Sequence, residues 1–370
     1  MSTSTANALR IVGEAAQSTD AQDVKIPRLK DRLTEELVIA LVGPVGSGCS
    51  TTYEILLSEL ESQYSYSVHY YKLSDYISES AKLIEADMGQ NLSAAERVDR
   101  MQTVGDELRK ICGSSYLAAK AVEKIAEHRD TEGFGKATDG SAVPKKLRQV
   151  HIIDSIKHPE ELKLLRATYG DIFWLIGVFA PQSVREQRLT IQQSLDKESL
   201  GAIMQRDYRE EDDHGQKVRD VFFQADFFVR NDQENKIQLE KSINRFLDII
   251  FGNPVHTPTR DESSMYAAYA EAAKSACLSR QVGAAVVSPD GELIGVGRND
   301  VPQYRGGLYT EDAGDGDHRC HAWQDKRCHN DKRKDVLYRQ IFARLRKDGL
   351  LVDHAKYEDV TKALKSTDAK

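Results

Sequence analysis

Residues 37–42 read LVIALV and residues 43–50 read GPVGSGCS. A continuous apolar run closed by glycines fits a strand buried on both faces of a parallel sheet. Gly43, Gly48 and Ser50 stand at the fixed positions of G-x-x-x-x-G-K-[ST], and residues 51–58 suit the helix that such a loop opens. The glycines let backbone N–H groups converge on phosphate oxygens, and the helix start adds partial positive charge. Ser50 offers a hydroxyl to Mg2+, and Gly46 and Thr51 complete the candidate cofactor-binding set on the loop. Cys49 stands where the motif has lysine. It brings no positive charge, and as a thiolate it would repel phosphate. Phosphate binding is therefore expected, whereas phosphoryl transfer needs a cation from elsewhere. A purely structural glycine-rich turn is the competing reading.

Residues 68–73, 150–153, 171–179 and 221–229 are further strand candidates. Residues 94–125 and 238–251 show helical spacing, the first stretch interrupted near Gly113. Strands alternating with helices predict an α/β domain with a mainly parallel sheet over residues 36–251. Asp154 directly follows the strand 150–153, where a Mg2+-organising carboxylate belongs; an ordinary strand-end acid is the alternative. Arg185 and Arg188 share one side of a helix beyond the strand 171–179. That is the end of an open sheet where ligands bind, so they are candidates for the charge that Cys49 lacks, against a solvated helix face. Residues 1–35 are read as a flexible arm, 252–260 as a linker with Gly and two Pro, and 261–370 as a second α/β domain. That domain opens with an alanine-rich helix and a hairpin turning at Pro289-Asp290-Gly291.

The chain has 370 residues, with 51 basic and 58 acidic side chains and a formal charge of -7, which argues against non-specific binding to a nucleic-acid backbone. No apolar run approaches a membrane span of about 18 residues and no signal peptide is visible, so a cytoplasmic protein without membrane contact is expected. Five unevenly spaced cysteines favour reduced thiols.

Residues 154–188 resemble the core of P-loop nucleoside and nucleotide kinases, dephospho-coenzyme A kinase-like members above all, and Ala225-Asp226 with Asn231 resembles their last strand. In the second domain, SACLSRQVGA at residues 275–284 and GRN at 297–299 resemble the deoxycytidylate branch of the cytidine deaminases. That resemblance implies Asn299 against the substrate sugar, Arg280 near its phosphate, and Gln281 beside them; Arg280 and Gln281 satisfying backbone groups at the strand start is the alternative. Together the two parts resemble bacterial anti-phage deoxycytidylate deaminases. The family implies zinc-dependent hydrolytic deamination of dCMP or dCTP in antiviral defence, control by the P-loop domain, a homo-oligomer, deoxycytidine nucleotides as ligands and, in some members, a small RNA antitoxin.

Deaminase chemistry requires H-x-E and P-C-x-x-C around a catalytic Zn2+. Nothing after Arg280 matches, and His158-Pro159-Glu160 fits by letter alone. No catalytic residue is assigned. The expectation is that the natural protein continues past Lys370 and that this chain alone is inactive. A P-loop nucleotide kinase, or a silent nucleotide- or RNA-binding regulator, is the alternative. Finally, Cys320, His321, Cys328 and His329, with His318 nearby, are soft ligands grouped within twelve residues. They predict a structural Zn2+ clamping the loop, against a polar loop with basic residues facing solvent.

Overall fold

The computed structural model describes residues 35–366, apart from short stretches at 90–91, 137, 140–141, 145–147, 194–196, 209–214, 233–235, 253–255, 353 and 355. The arm expected over residues 1–35 lies outside them except for Glu35. The chain divides into two units, Met1–His256 and Thr257–Lys370.

In the first unit five strands pair in parallel: β1 (Glu36–Val42), β2 (Ser67–Lys72), β3 (Gln149–Asp154), β4 (Phe173–Phe179) and β5 (Phe227–Arg230). Their order is β2-β3-β1-β4-β5. The central strand β1 is buried from Leu37 to Val42, as its unbroken apolar run requires. Its side chains alternate between two cores. Leu37, Ile39 and Leu41 pack with α1 (Cys49–Ser62) and the C-terminal helix of the unit, Ile237–Ile250. Val38, Ala40 and Val42 pack with α2 (Leu73–Ser80), α3 (Ala94–Cys112), α4 (Tyr116–His128) and α5 (Pro159–Tyr169). Fully burying one such aliphatic side chain is worth about 1.5–3 kcal/mol, so both layers are strongly held.

Parallel strands end on one edge. Gly43, Ser155, Ala180 and Asn231 follow β1, β3, β4 and β5 there. Two helices, α6 (Gln182–Gln193) and α7 (Lys197–Tyr208), follow β4, and the short α8 (Val218–Phe222) precedes β5. The expected strand at 221–229 is thus corrected at its start. Val218 and Val221 are buried three residues apart on a helical turn, and the strand begins only at Phe227. A short apolar run serves either period, and the helical one prevails here.

The second unit contains α9 (Arg260–Ala272), an antiparallel hairpin of β6 (Gly283–Val287) and β7 (Leu293–Arg298), α10 (His329–Lys347) and α11 (Tyr357–Ser366). Thr259 and Glu262 form a reciprocal cap at the start of α9. Gly283 lies so close to that helix that an added Cβ would fall 1.9 Å from the Ala268 carbonyl oxygen. The hairpin turns through Gly291 at φ 89°, whose N–H donates to Ser288. None of the described helices is long and apolar enough to cross a membrane.

Three imidazoles meet beside β2 and β3. The His69 ring lies 3.9 Å from His128 and 5.4 Å from His151. Tyr71 Oη is 3.0 Å from His151 Nδ1, and His151 Nε2 lies 3.0 Å from Glu36, which also receives Arg129. Burial, reinforced by the other two rings, lowers the His69 pKa to about 4, and burial lowers that of His151. Burial alone would raise Glu36, but hydrogen bonds from His151 and Arg129 bring it to about 2. An unfolded His69 takes its proton near the ordinary value of 6.5, while the folded one resists until about 4. Protonation therefore favours the unfolded chain in that window, and stability is lost as pH falls through it. The thermal midpoint should drop between pH 7 and pH 5, and His69→Phe should drop less. Equal drops in the two proteins would show that His69 does not set the slope.

Candidate functional site

The loop after β1 has the shape its glycines permit. Ser47 N–H donates to the Pro44 carbonyl, and Gly46 and Gly48 take φ values of 81° and 93°. A Cβ on Gly48 would lie 2.1 Å from Asn231 Nδ2 and one on Gly43 2.3 Å from Ser47 Oγ. The first bond of α1 runs from Thr52 N–H to the Gly48 carbonyl. The N–H groups of Cys49, Ser50 and Thr51 are thereby left at the helix start, where an anion is accommodated.

The loop lines a cavity of about 590 Å³ together with Asp154, Lys157, Arg188, Asp207 and Asn231. Asp154 is buried and accepts hydroxyl hydrogen bonds from Tyr70 at 2.5 Å and Ser155 at 2.8 Å. Both expected arginines reach the loop through backbone oxygens. Arg185 donates to Val45 at 3.3 Å, and Arg188 to Gly46 and Ser47 at 3.5 and 3.4 Å and to the Asn231 side chain. Asn231 in turn donates to Ser47 at 2.9 Å. These two cations brace the loop; Arg188 also lines the cavity.

Cys49 is buried, with its sulfur 3.8 Å from Ser47 Oγ. Burial first, then the nearby charge of Asp154, pushes its thiol up to about 12. The thiolate repulsion expected from the sequence therefore does not arise: the thiol is neutral and contributes neither attraction nor repulsion.

Several participants gave no sequence signal. Lys157, in the turn after β3, pairs with Asp207 of α7 at 2.5 Å and reaches the Gly43 carbonyl at 3.5 Å. Asp207 also accepts the Val45 N–H at 2.7 Å. The turn itself is held by Glu161, which is fully buried, accepts from the Lys157 and His158 N–H groups, and pairs with buried Arg109 at 2.9 Å. His158 caps α5, its ring accepting from the Glu160 N–H, so the letter match to H-x-E has a structural cause. A histidine N-cap with Glu three residues later is a capping pattern outside the usual Ser, Thr, Asp and Asn set, which hid it.

In the second unit Asn299 is engaged by backbone. Its amide accepts from Val282 N–H at 2.7 Å and donates to the Arg280 carbonyl at 2.7 Å. Gln281 donates to the Cys277 carbonyl. The structure thus brings Arg280, Gln281 and Asn299 together at the strand start through hydrogen bonds to main chain.

The expected zinc site is corrected. Among the described residues no three His, Cys, Asp or Glu side chains converge to hold a metal. Cys320 and Cys328 are both buried, but the Cys320 sulfur accepts the His329 N–H at 3.4 Å. The His318 ring packs at a tilt against Trp323, centroids 3.8 Å apart, and His321 lies 3.7 Å from Asp317, whose carboxylate is forked by Arg319. Tilted ring contacts and the Asp317–Arg319 pair hold this loop in place of a cation. Zinc-dependent hydrolytic deamination in antiviral defence is overturned with it, because no zinc-binding cluster is present among the described residues and the first unit is a P-loop kinase-like parallel sheet.

No family model and no curated protein matches the chain. Among solved structures, it is similar to shikimate kinase from Acinetobacter baumannii in complex with shikimate, at 14% identity, with 60% of this chain and 96% of that one covered and a TM-score of 0.33. TT1252 from Thermus thermophilus matches at 17% identity over 60% and 100%, TM-score 0.31. Shikimate kinase from Bacteroides thetaiotaomicron matches at 17% over 58% and 98%, TM-score 0.32. Likenesses this distant assign no substrate; the strand order and the loop carry the fold.

Glu161→Ala should strip Arg109 of one carboxylate and leave two backbone N–H groups without an acceptor. Breaking a buried pair costs about 3–5 kcal/mol, and Asp106, 3.1 Å from Arg109, offsets part of that. A loss of about 3 kcal/mol is expected in urea unfolding. A loss below about 1 kcal/mol would mean that the turn does not depend on this carboxylate.

Proposed function

We propose that the first unit binds a Mg2+-complexed nucleoside triphosphate at residues 43–50, as a nucleotide-binding unit of the P-loop kinase type. The observation that supports this most is the set of N–H groups of Cys49, Ser50 and Thr51, without an acceptor among the described residues and opening beside Asp154 and Lys157 in one cavity. Mg2+ takes oxygen ligands and keeps several waters. The Ser50 hydroxyl and the Asp154 carboxylate line the cavity and fit that chemistry. Asp154 is buried yet partnered by hydroxyls, an environment that a hard cation suits. Mg2+ held by these residues would neutralise phosphate charge.

One observation favours phosphoryl transfer as a second reading. Beyond the loop the cavity continues to Leu73, Ile77, Val98, Met101 and Leu117, with Gln102 among them. The Gln102 side-chain oxygen is buried with no hydrogen-bond partner among the described residues, so a second small ligand with a donor group fits that end. The neutral thiol at Cys49 weighs the other way, toward holding nucleotide without fast turnover.

Calorimetric titration with Mg·ATP tests the reading. Gly48→Asp adds a side chain at a left-handed position, where its Cβ would strike Asn231, and adds like charge; affinity should fall at least about tenfold. Cys49→Ala removes a neutral group and should stay within about threefold. Gly48→Asp binding as well as the unaltered chain would place any nucleotide elsewhere, and absence of heat in the unaltered chain would remove the proposal.

A further inference from the structure

We infer that Lys157 supplies the positive charge missing at Cys49 and contacts the phosphates of the bound nucleotide, an inference that rests on the nucleotide-binding reading above. The loop lysine of a phosphate site normally rises from the first turn of the helix. Here the cation comes from the opposite wall, on the turn after β3. Its ammonium lines the cavity and touches the loop backbone at the Gly43 carbonyl. Lys157 and Asp154 both act electrostatically on the Cys49 thiol, so cation, carboxylate and the substituted position share one small volume.

Other cations around the cavity are engaged differently. Arg109 is enclosed between Glu161 and Asp106. Arg188 donates to loop carbonyls and to Asn231, and Lys236 pairs with Glu54. No described hydrogen bond ties Lys72 or Arg97 to the loop. Lys157 combines a direct loop contact with a fixed main chain: its N–H is held by Glu161 and its carbonyl accepts the Lys217 N–H at 2.9 Å. An ammonium has three donors. Two meet Asp207 and Gly43, leaving one for a phosphate oxygen.

Asp207 makes the arrangement adjustable. Its carboxylate opposes the ammonium charge and accepts the Val45 N–H, so it weakens the site for anions while holding both groups in place. Asn at this position keeps an oxygen for Val45 and loses the charge. Asp207→Asn should therefore tighten Mg·ATP and inorganic tripolyphosphate alike, by about threefold to tenfold.

Lys157→Met alone would leave Asp207 buried without its partner, so the decisive variant is Lys157→Met/Asp207→Asn, which removes both charges. Calorimetry with Mg·ATP and with tripolyphosphate should show affinity reduced at least about tenfold for both, with the thermal midpoint near that of the unaltered protein. Adding Cys49→Lys should recover most of the loss. An affinity within twofold of the unaltered chain in the double variant, or no recovery in the triple, overturns the role of Lys157 while the nucleotide site stands. Failure of the unaltered chain to bind either probe overturns both.

Discussion

A single buried carboxylate, Glu161, holds the turn that faces the glycine-rich loop. It is fully enclosed, pairs with Arg109 from α3 and accepts the N–H groups of Lys157 and His158. A buried ion pair by itself is weak support, because desolvating two charges offsets most of their attraction. Glu161 differs in that it also satisfies main-chain donors at the start of α5 that would otherwise be orphaned. The pair therefore acts less as net stabilisation than as a fixture. It ties α3, α5 and the turn after β3 into one geometry, and that turn carries Asp154 at one end and Lys157 at the other.

The sheet and the loop were legible because each rests on local signals. LVIALV is too apolar for an exposed strand, and glycines with positive φ at positions 46 and 48 announce a turn that few other residues adopt. Asp154 and the two arginines followed from their places beyond strand ends. Lys157 and Asp207 did not, since they lie 50 residues apart and meet through the packing of α7 on its neighbouring helices. The Arg109–Glu161 pair was hidden for the same reason. The run at 221–229 misled because its apolar residues satisfy both a helical and an extended period. The Cys and His residues at 318–329 misled because spacing in sequence says nothing about where lone pairs point. His318 packs tilted against an indole and the Cys320 sulfur is taken by an amide.

The charge balance at the loop has a consequence for how the site responds to its surroundings. A lysine in the first turn of α1 would move with the loop, and its charge would always be present. A cation on the β3 turn is shared with Asp207 instead, and Asp207 belongs to α7, which packs on α3 and α8. Leu200, Ile203 and Met204 of α7 bury against Leu189 and Val98, so the helix is seated by a small apolar cluster of its own. Where α7 sits therefore sets how much of the Lys157 charge is offset and whether the Val45 N–H is capped. Under the proposed phosphate contact of Lys157, affinity and the placement of α7 are coupled through one carboxylate: phosphate contact favours weaker pairing with Asp207, and by reciprocity a contact that shifts α7 changes that affinity in the same proportion. With a neutral thiol at position 49, the proposed role of Lys157 places the electrostatic control of the loop on a cation whose partner carboxylate belongs to a helix seated by its own apolar cluster.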